Sequence, residues 1–122
     1  MLGVLKEDID MADIADLRME EVDILRRLAE EKAEAAGSSA NRERRDAWYC
    51  HDAGPGGRPM ILAHIGGICD EYAPVPESSL QCGTDWAKKL ERQLKIELYQ
   101  FHNLRDDHVI EPWMNVRWQT HV

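Results

Sequence analysis

Three groups of side chains in this 122-residue chain are suited to chemistry: a histidine inside an apolar run, two adjacent carboxylates and an asparagine near the C terminus. His64 lies in the run Met60–Ile65, and an imidazole, which titrates near neutral pH, can act as a general acid or base or bind a metal. Asp70 and Glu71 could hold a cationic substrate or metal-bound water, and Asn115 could orient a substrate amide. The structural alternatives are a buried histidine bonded to backbone, a solvated acidic loop and an asparagine that bonds the main chain.

The cysteine and histidine residues do not indicate a zinc site. Structural zinc sites use ligand pairs that lie roughly two to four residues apart, twice along the chain. The candidate ligands here are either adjacent or widely separated: Cys50, His51, His64, Cys69 and Cys82. We therefore predict no tightly bound metal in this chain.

The composition is that of an acidic globular protein with a single domain. Of its residues, 43% are hydrophobic and 31% charged, and the formal net charge is −8. Nucleic acids and anionic membranes bind basic surfaces, so neither is a predicted partner. The chain has no secretory leader, no apolar run of roughly 18 residues and no disulfide framework among its three cysteines. These features predict a cytoplasmic protein.

Apolar residues at helical spacing predict an acidic first helix. Residues 1–36 contain 5 Lys and Arg against 11 Asp and Glu, whereas residues 37–122 contain 10 against 12. Spacings close to three and four relate the apolar positions of the acidic part, which are Ile14, Leu17, Val22, Leu25, Leu28 and Ala29. The pattern predicts an amphipathic helix that ends at Gly37 and has a solvated acidic face. The alternative is an acidic surface on which a basic partner docks.

Two further helices are predicted after the first. The second runs from about 41 to 53, with Asn41 or Ser39 as its N-cap, and the glycine- and proline-rich residues 54–59 end it. The third runs over 85–103 with Thr84 as its cap, because apolar residues recur there at helical spacing. The apolar stripe of this helix consists of Trp86, Leu90, Leu94, Leu98 and Phe101.

Two extended segments flank the third predicted helix. Met60–Ile65 is a short continuous apolar run between turn signals, which is typical of a strand buried on both faces. Residues from about 108 to 122 end in alternating apolar and polar side chains, which is typical of a second strand. Strand, helical crossover and strand form a right-handed βαβ unit with a parallel sheet. Two parallel strands alone make a poor domain, so this order predicts the beginning of a larger α/β protein.

Six short motifs, in this order, resemble the uroporphyrinogen decarboxylase-like superfamily. They read Leu-Ala-Glu-Glu (28–31), Asn-Arg-Glu-Arg-Arg-Asp-Ala-Trp (41–48), Arg-Pro-Met-Ile-Leu (58–62), Leu-Gln-Cys (80–82), Lys-Leu-Glu-Arg-Gln-Leu (89–94) and Asp-Asp-His-Val-Ile-Glu-Pro (106–112). The resemblance covers residues 22–122 and points to a bacterial branch near the corrinoid-dependent methyltransferases.

The resemblance implies an α/β fold, in which N-terminal helices precede the first βαβ unit of an incomplete (β/α)8 TIM barrel. Residues 1–40 would be an acidic helical segment, and residues 41–122 the start of the barrel domain. Active sites of such barrels lie at the C-terminal ends of the strands. This rule selects His64, Glu71 and Asn115 as the catalytic residues.

Two departures from the family argue against porphyrinogen decarboxylation. Decarboxylases have an arginine-rich loop after the Arg-Pro strand, whereas residues 64–71 contain no arginine that could bind an anionic porphyrinogen. The catalytic aspartate of the decarboxylases falls near residues 113–115, where this chain has no carboxylate. Trp113 and Trp118 could stack on a flat corrin instead, and packing within the fold is the alternative role for both.

Two classes of function follow from these patterns. In the enzyme class, the chain is the N-terminal portion of a barrel enzyme whose full-length parent is a methyltransferase that uses a corrinoid (cobalamin) and zinc. The chain alone is then inactive and holds no cofactor, and its partners are the remainder of the barrel, a corrinoid protein, or a second copy bound through exposed strands. In the binding class, the chain is a free-standing, small, non-catalytic binding protein or oligomeric adaptor.

Overall fold

The computed structural model describes residues 9–10, 17–65 and 73–117, and three α-helices form the framework of this part of the chain. The helices are α1 (Met19–Ala36), α2 (Ser39–Asp52) and α3 (Asp85–Tyr99). A short 3-10 helix at Glu77–Ser79 precedes α3, and a π-helical turn at Gln100–Leu104 follows it.

Strand pairing in the described residues is confined to two short parallel strands. β1 (Ile9–Asp10) pairs with β2 (Val116–Arg117), so that Ile9 lies opposite Val116. The predicted last strand thus contributes two residues here, and residues 118–122 lie outside the described part of the chain.

The core lies where the apolar faces of α1 and α3 meet. Their predicted apolar positions are confirmed at Leu25 and Leu28 of α1 and at Leu90, Leu94 and Leu98 of α3, all of which are buried. Further buried members of this core are Ala35, Cys82, Ala87, Phe101 and Ile110. The helical periodicity therefore identified most of the buried positions, but the predicted Ala29 is exposed and Val22 and Trp86 are only partly buried.

Charged residues of α1 are not all on the solvated face that the sequence predicts. Asp23, Glu30 and Glu34 are exposed, as expected. Glu21 is buried, however, and the buried Lys32 forms an ion pair with Glu97 of α3 at 2.8 Å. Paired charges can be buried where hydrogen bonds replace their hydration, so amphipathic patterning alone does not locate them.

The helix starts lie within two residues of the predictions, but one of the predicted N-caps is wrong. α2 begins at Ser39, two residues before the predicted start near 41, and its N-cap is neither Asn41 nor Ser39 but Ser38, whose hydroxyl accepts the N–H of Asn41 at 3.2 Å. Thr84 is the N-cap residue of α3, as predicted. Its hydroxyl makes no cap bond, however, and donates to the carboxylate of Glu21 at 2.8 Å.

The predicted α/β fold is wrong: the described residues form a small helical domain without the predicted βαβ unit or the start of a TIM barrel. Residues 60–65 pair with no strand, since their backbone bonds go to side chains and to one peptide group near residues 100–107. The apolar face of α3 packs mainly on α1 and not on the predicted sheet of residues 60–65 and 108–122. None of the helices in the described part of the chain has the length and apolar content of a membrane-spanning segment.

Candidate functional site

Asp107 fixes residues 58–65, which we call the clamped segment, against the end of α3. Its carboxylate accepts hydrogen bonds from the Arg58 guanidinium at 2.6 and 2.9 Å and from the N–H of Ile61 at 2.7 Å. The Asp107 N–H donates to the Ile61 carbonyl at 2.8 Å, and the Asp107 carbonyl accepts the indole N–H of Trp48 at 2.7 Å. The bonds from Arg58 and then from Ile61 lower the pKa of Asp107 to about 2, so its carboxylate is ionised at neutral pH.

Asp106 holds the next part of the clamped segment. One carboxylate oxygen accepts the N–H of Ala63 at 2.8 Å and the side-chain amide of Gln100 at 2.9 Å, and the other accepts the N–H of His108 at 3.1 Å. The Gln100 amide also donates to the Ala63 carbonyl at 3.0 Å. Burial raises the pKa of Asp106, but the bonds from Gln100, Ala63 and His108 outweigh it, so the pKa is lower than the ordinary value.

The turn at the end of α3 brings these acceptors to the segment. Arg105 adopts the left-handed conformation, with φ of 53°, directly after the π-helical turn, and its N–H donates to the Gln100 carbonyl at 3.2 Å. The guanidinium of Arg44 lies over the Phe101 ring and donates to the carbonyls of Phe101 and His108 at 2.9 and 3.0 Å. The turn is therefore fixed from both sides, and Asp106 and Asp107 point at the clamped segment.

One edge of the clamped segment is bonded and the other is open. Among the described residues, bonds to the backbone of residues 60–65 involve only Ile61 and Ala63. This alternation is the pattern of an extended chain, in which neighbouring peptide groups point to opposite sides. The peptide groups of Met60, Leu62 and His64 therefore form a second edge, which we call the free edge, and they make no hydrogen bond to any described residue. The side chains of Ile61 and Leu62 are 64% and 58% exposed.

A groove lies between α1, α2 and residues 111–113. This open groove has a volume of about 440 Å³ and contains the ion pair between Arg45 and Glu111, at 3.3 Å. The small residues Ala33, Ala36 and Gly37 and the larger residues Tyr49, Pro112 and Trp113 also line it. Trp113 is thus an exposed wall residue of the groove, whereas Trp118 lies outside the described residues.

The residues predicted to be catalytic are not gathered into one pocket of the described structure. His64 is exposed on the free edge, and Asn115 is exposed just before β2. Neither lines the groove between α1, α2 and residues 111–113. Glu71 and the neighbouring Asp70 lie outside the described residues, so the catalytic roles stay predictions.

Metal-ligating and thiol side chains form no cluster in the part of the chain that the structure describes. Within it, no group of three or more His, Cys, Asp and Glu side chains is placed to hold a metal ion. Cys50 is exposed and Cys82 is buried, and both are free thiols. Burial, together with the nearby charge of Glu91, raises the pKa of Cys82 to about 12, so this thiol is protonated and a poor nucleophile at neutral pH.

We call the side chains that bond the clamped segment the clamp, and they are Gln100, Asp106 and Asp107. The sequence does not identify them as functional. The sequence likewise gives no sign that Arg58 bonds to Asp107. Arg58 and the two aspartates do belong to the motifs at 58–62 and 106–112 that carry the family resemblance. The contact between Arg58 and Asp107 could not be predicted, because 49 residues separate them.

The chain matches no model of a protein family, no curated protein and no solved structure. The resemblance to the uroporphyrinogen decarboxylase-like superfamily therefore depends on the motifs quoted for it.

Proposed function

We propose that this chain is a non-catalytic interaction module that binds an extended protein segment along the free edge of residues 60–65. The observation that carries the proposal is the alternation of the backbone bonds: Ile61 and Ala63 are bonded to the clamp, whereas the peptide groups of Met60, Leu62 and His64 bond to no residue that the structure describes. Proteins commonly recognise extended peptides by adding a strand to an exposed edge, where main-chain bonds supply affinity.

The clamp supports this role because it orders the segment before a partner arrives. Binding an ordered edge avoids most of the conformational entropy that a flexible peptide loses when it becomes a strand. Asp107 and Asp106 accept the inward N–H groups of Ile61 and Ala63 at 2.7 and 2.8 Å, which keeps the alternate groups facing outward. Ile61 and Leu62 project on opposite faces of the segment and are both largely exposed, so a partner with apolar side chains on both faces fits it.

Several acidic groups that a catalyst would need are already occupied. Asp107 and Asp106 each accept at least three hydrogen bonds, and Glu21 and Glu91 bond to backbone N–H groups of residues 81–84. A general base needs a lone pair directed at substrate. Carboxylates satisfied in this way serve structure, which favours binding over catalysis.

Amide NMR tests the proposal with a built-in control. A soluble hexapeptide of alternating threonine and valine, which favours extended structure, is added to the 15N-labelled chain at a concentration low enough for the chain to be monomeric. The amides of Leu62 and His64 are expected to shift downfield and to exchange at least about tenfold more slowly, since a bonded amide exchanges only after opening. The amides of Ile61 and Ala63, which are already bonded, are expected to change little. Equal changes at all four amides, or none, would contradict the proposal.

As a second candidate, we propose that this module is part of a corrinoid-dependent methyltransferase related to the uroporphyrinogen decarboxylase-like superfamily. One observation favours it: residues from the family-like motifs bond to one another across the domain. Asn41 bonds to Ile110, Arg58 to Asp107, and Glu91 to the N–H of Cys82. In this candidate the motifs maintain the helical unit, and another part of the enzyme binds the free edge.

The described residues alone do not fit a corrin or zinc. They contain no group of three metal-ligating side chains, and the groove between α1, α2 and residues 111–113 is open to solvent. We therefore assign no catalytic step to the described residues, and the roles of His64, Glu71 and Asn115 belong to this second candidate only.

Methyl transfer from methylcobalamin to a thiol tests the second candidate. No turnover is expected from the 122-residue chain. A longer chain that carries the rest of such an enzyme should be active, and His64→Ala should lower its rate, whereas exchange of the equally exposed His51 for alanine should not. Turnover by the 122 residues alone would contradict the non-catalytic proposal, and an inactive longer chain would contradict the enzyme candidate.

A further inference from the structure

We infer that the partner of the free edge is a second copy of this chain, in a twofold-symmetric antiparallel dimer centred on Leu62. The inference rests on the proposed function of the free edge and names its occupant. Three properties of the clamped segment lead to it: the number of open edges, the positions of the open peptide groups and the absence of charge along residues 59–65.

The orientation follows from the single open edge. Asp106, Asp107 and Gln100 occupy the other side of the segment. A parallel pair joins the left edge of one strand to the right edge of the next, whereas two identical edges can face each other only if the strands run antiparallel. Such a contact is isologous and closes as a dimer, so it does not continue into a filament.

The register follows from the alternation. In an antiparallel ladder, every second residue exchanges both of its peptide bonds with the residue opposite. A twofold axis at Leu62 places Leu62 opposite its copy and Met60 opposite His64, so all three open peptide groups are used in each chain. If the register shifted by one residue, Leu62 would lie opposite Ile61 or Ala63 of the copy. The peptide groups of those two residues are already bonded to the clamp and cannot pair with the copy.

The side chains and charges of the segment also suit a second copy. Each chain carries a net charge of −8, so two copies repel one another over most of their surfaces. Residues 59–65 contain no Asp, Glu, Lys or Arg, which makes them a surface on which two copies can approach. Pairing would place Leu62 beside Leu62 of the copy and Ile61 beside Ala63 of the copy. It would cover the side chains of Leu62 and Ile61, which are 58% and 64% exposed in one chain.

Sedimentation velocity at concentrations up to about 200 µM tests the inference, since small interfaces of this kind are weak. The wild-type chain should sediment as a dimer, and Leu62→Pro should be monomeric, because proline removes the central N–H. The clamp should survive, since the bonds that form it involve Ile61 and Ala63 and not Leu62. Met19→Ala, which removes a side chain 72% exposed, is the matched control and should remain dimeric. A wild-type monomer, or a dimeric Leu62→Pro of unchanged fold, would overturn the inference.

Cross-linking decides the question if Leu62→Pro does not fold. Residues of a hydrogen-bonded antiparallel pair have Cα atoms about 5.5 Å apart, which lies within the range of a disulfide. In a Cys50→Ser and Cys69→Ser background, Leu62→Cys should give at least about tenfold more disulfide-linked dimer than Met19→Cys, because only Leu62 lies at the axis. Equal yields would overturn the inference.

The hexapeptide experiment separates this inference from the proposed function. A wild-type monomer whose Leu62 and His64 amides are still protected by the threonine–valine peptide would reject self-pairing and support the edge as a site for another protein. A monomer without such protection would reject both.

Discussion

The side-chain amide of Asn41 pairs with the peptide group of Ile110 as a neighbouring strand would. Its oxygen accepts the Ile110 N–H and its nitrogen donates to the Ile110 carbonyl, each at 2.9 Å, and both residues are completely buried. The same nitrogen donates to the carbonyl of Ala36 at 2.9 Å. One side chain thus connects the end of α1, the first turn of α2 and the segment that follows the clamp.

Asn41→Ala should therefore destabilise the domain by about 2–4 kcal/mol, because it leaves a buried N–H and a buried carbonyl without partners. Urea unfolding followed by circular dichroism measures the change. Asn103→Ala, at an exposed position, should stay within about 0.5 kcal/mol of wild type. If the two variants were equally stable, the Asn41–Ile110 pair would not contribute as described.

Asp107 should make the stability depend on acid pH. Its pKa in the folded chain is about 2, below the ordinary value of 3.8, so it stabilises the fold above about pH 4 and this contribution is lost as the pH falls toward 2. Asp107→Asn should lower the melting temperature at pH 7 and flatten its decline between about pH 4 and 2. A residual slope is expected from the other carboxylates of lowered pKa, which are Glu21, Glu91, Glu97 and Asp106.

The control for this experiment is Asp46→Asn, which changes an exposed carboxylate of α2. Its melting temperatures should follow the wild-type pH profile. If Asp107→Asn followed that profile too, the ionised carboxylate would not be what holds the clamped segment.

Glu91 should control access to Cys82. Its buried carboxylate accepts the N–H groups of Gln81 and Cys82 at about 2.9 Å and pairs with Lys95 at 2.7 Å. Glu91→Gln replaces one acceptor oxygen by a donor, which should destabilise the loop by about 1–1.4 kcal/mol and speed labelling of Cys82 about five- to tenfold. A thiol reagent measures this in the Cys50→Ser and Cys69→Ser background.

Glu34→Gln is the matched control, because Glu34 is exposed on α1. It should leave the labelling rate unchanged. Equal labelling rates in the two variants would show that the Glu91 bonds do not keep the loop closed over the thiol.

Arg105→Gly should stabilise the chain by about 0.5–1 kcal/mol, because Arg105 has a φ of 53° and glycine adopts this conformation without steric cost. Arg105→Ala keeps the β-carbon and should give no such gain, which separates the backbone effect from the loss of the guanidinium. Thermal unfolding measures both variants. A destabilised glycine variant would indicate that the Arg105 side chain matters more than its backbone strain.

The positions of the helices could be predicted from the sequence because their signals are local. The glycines and prolines of residues 54–59 end α2, Thr84 precedes α3, and apolar residues three and four apart mark the faces that become buried. Those signals act between residues within one or two turns of the chain. They require no knowledge of what the helices pack against.

The partners of these elements were decided only by the tertiary structure. An apolar run such as Met60–Ile65 is compatible with a strand, but its peptide groups bond with Asp106, Asp107 and Gln100, and α3 packs on α1 where a sheet was predicted. The acidic helix likewise gave no sign that Glu21 would be buried against Gly83 and Thr84, 62 and 63 residues away. Periodicity specifies that a face or a peptide group must be satisfied, whereas the group that satisfies it depends on contacts between distant parts of the chain.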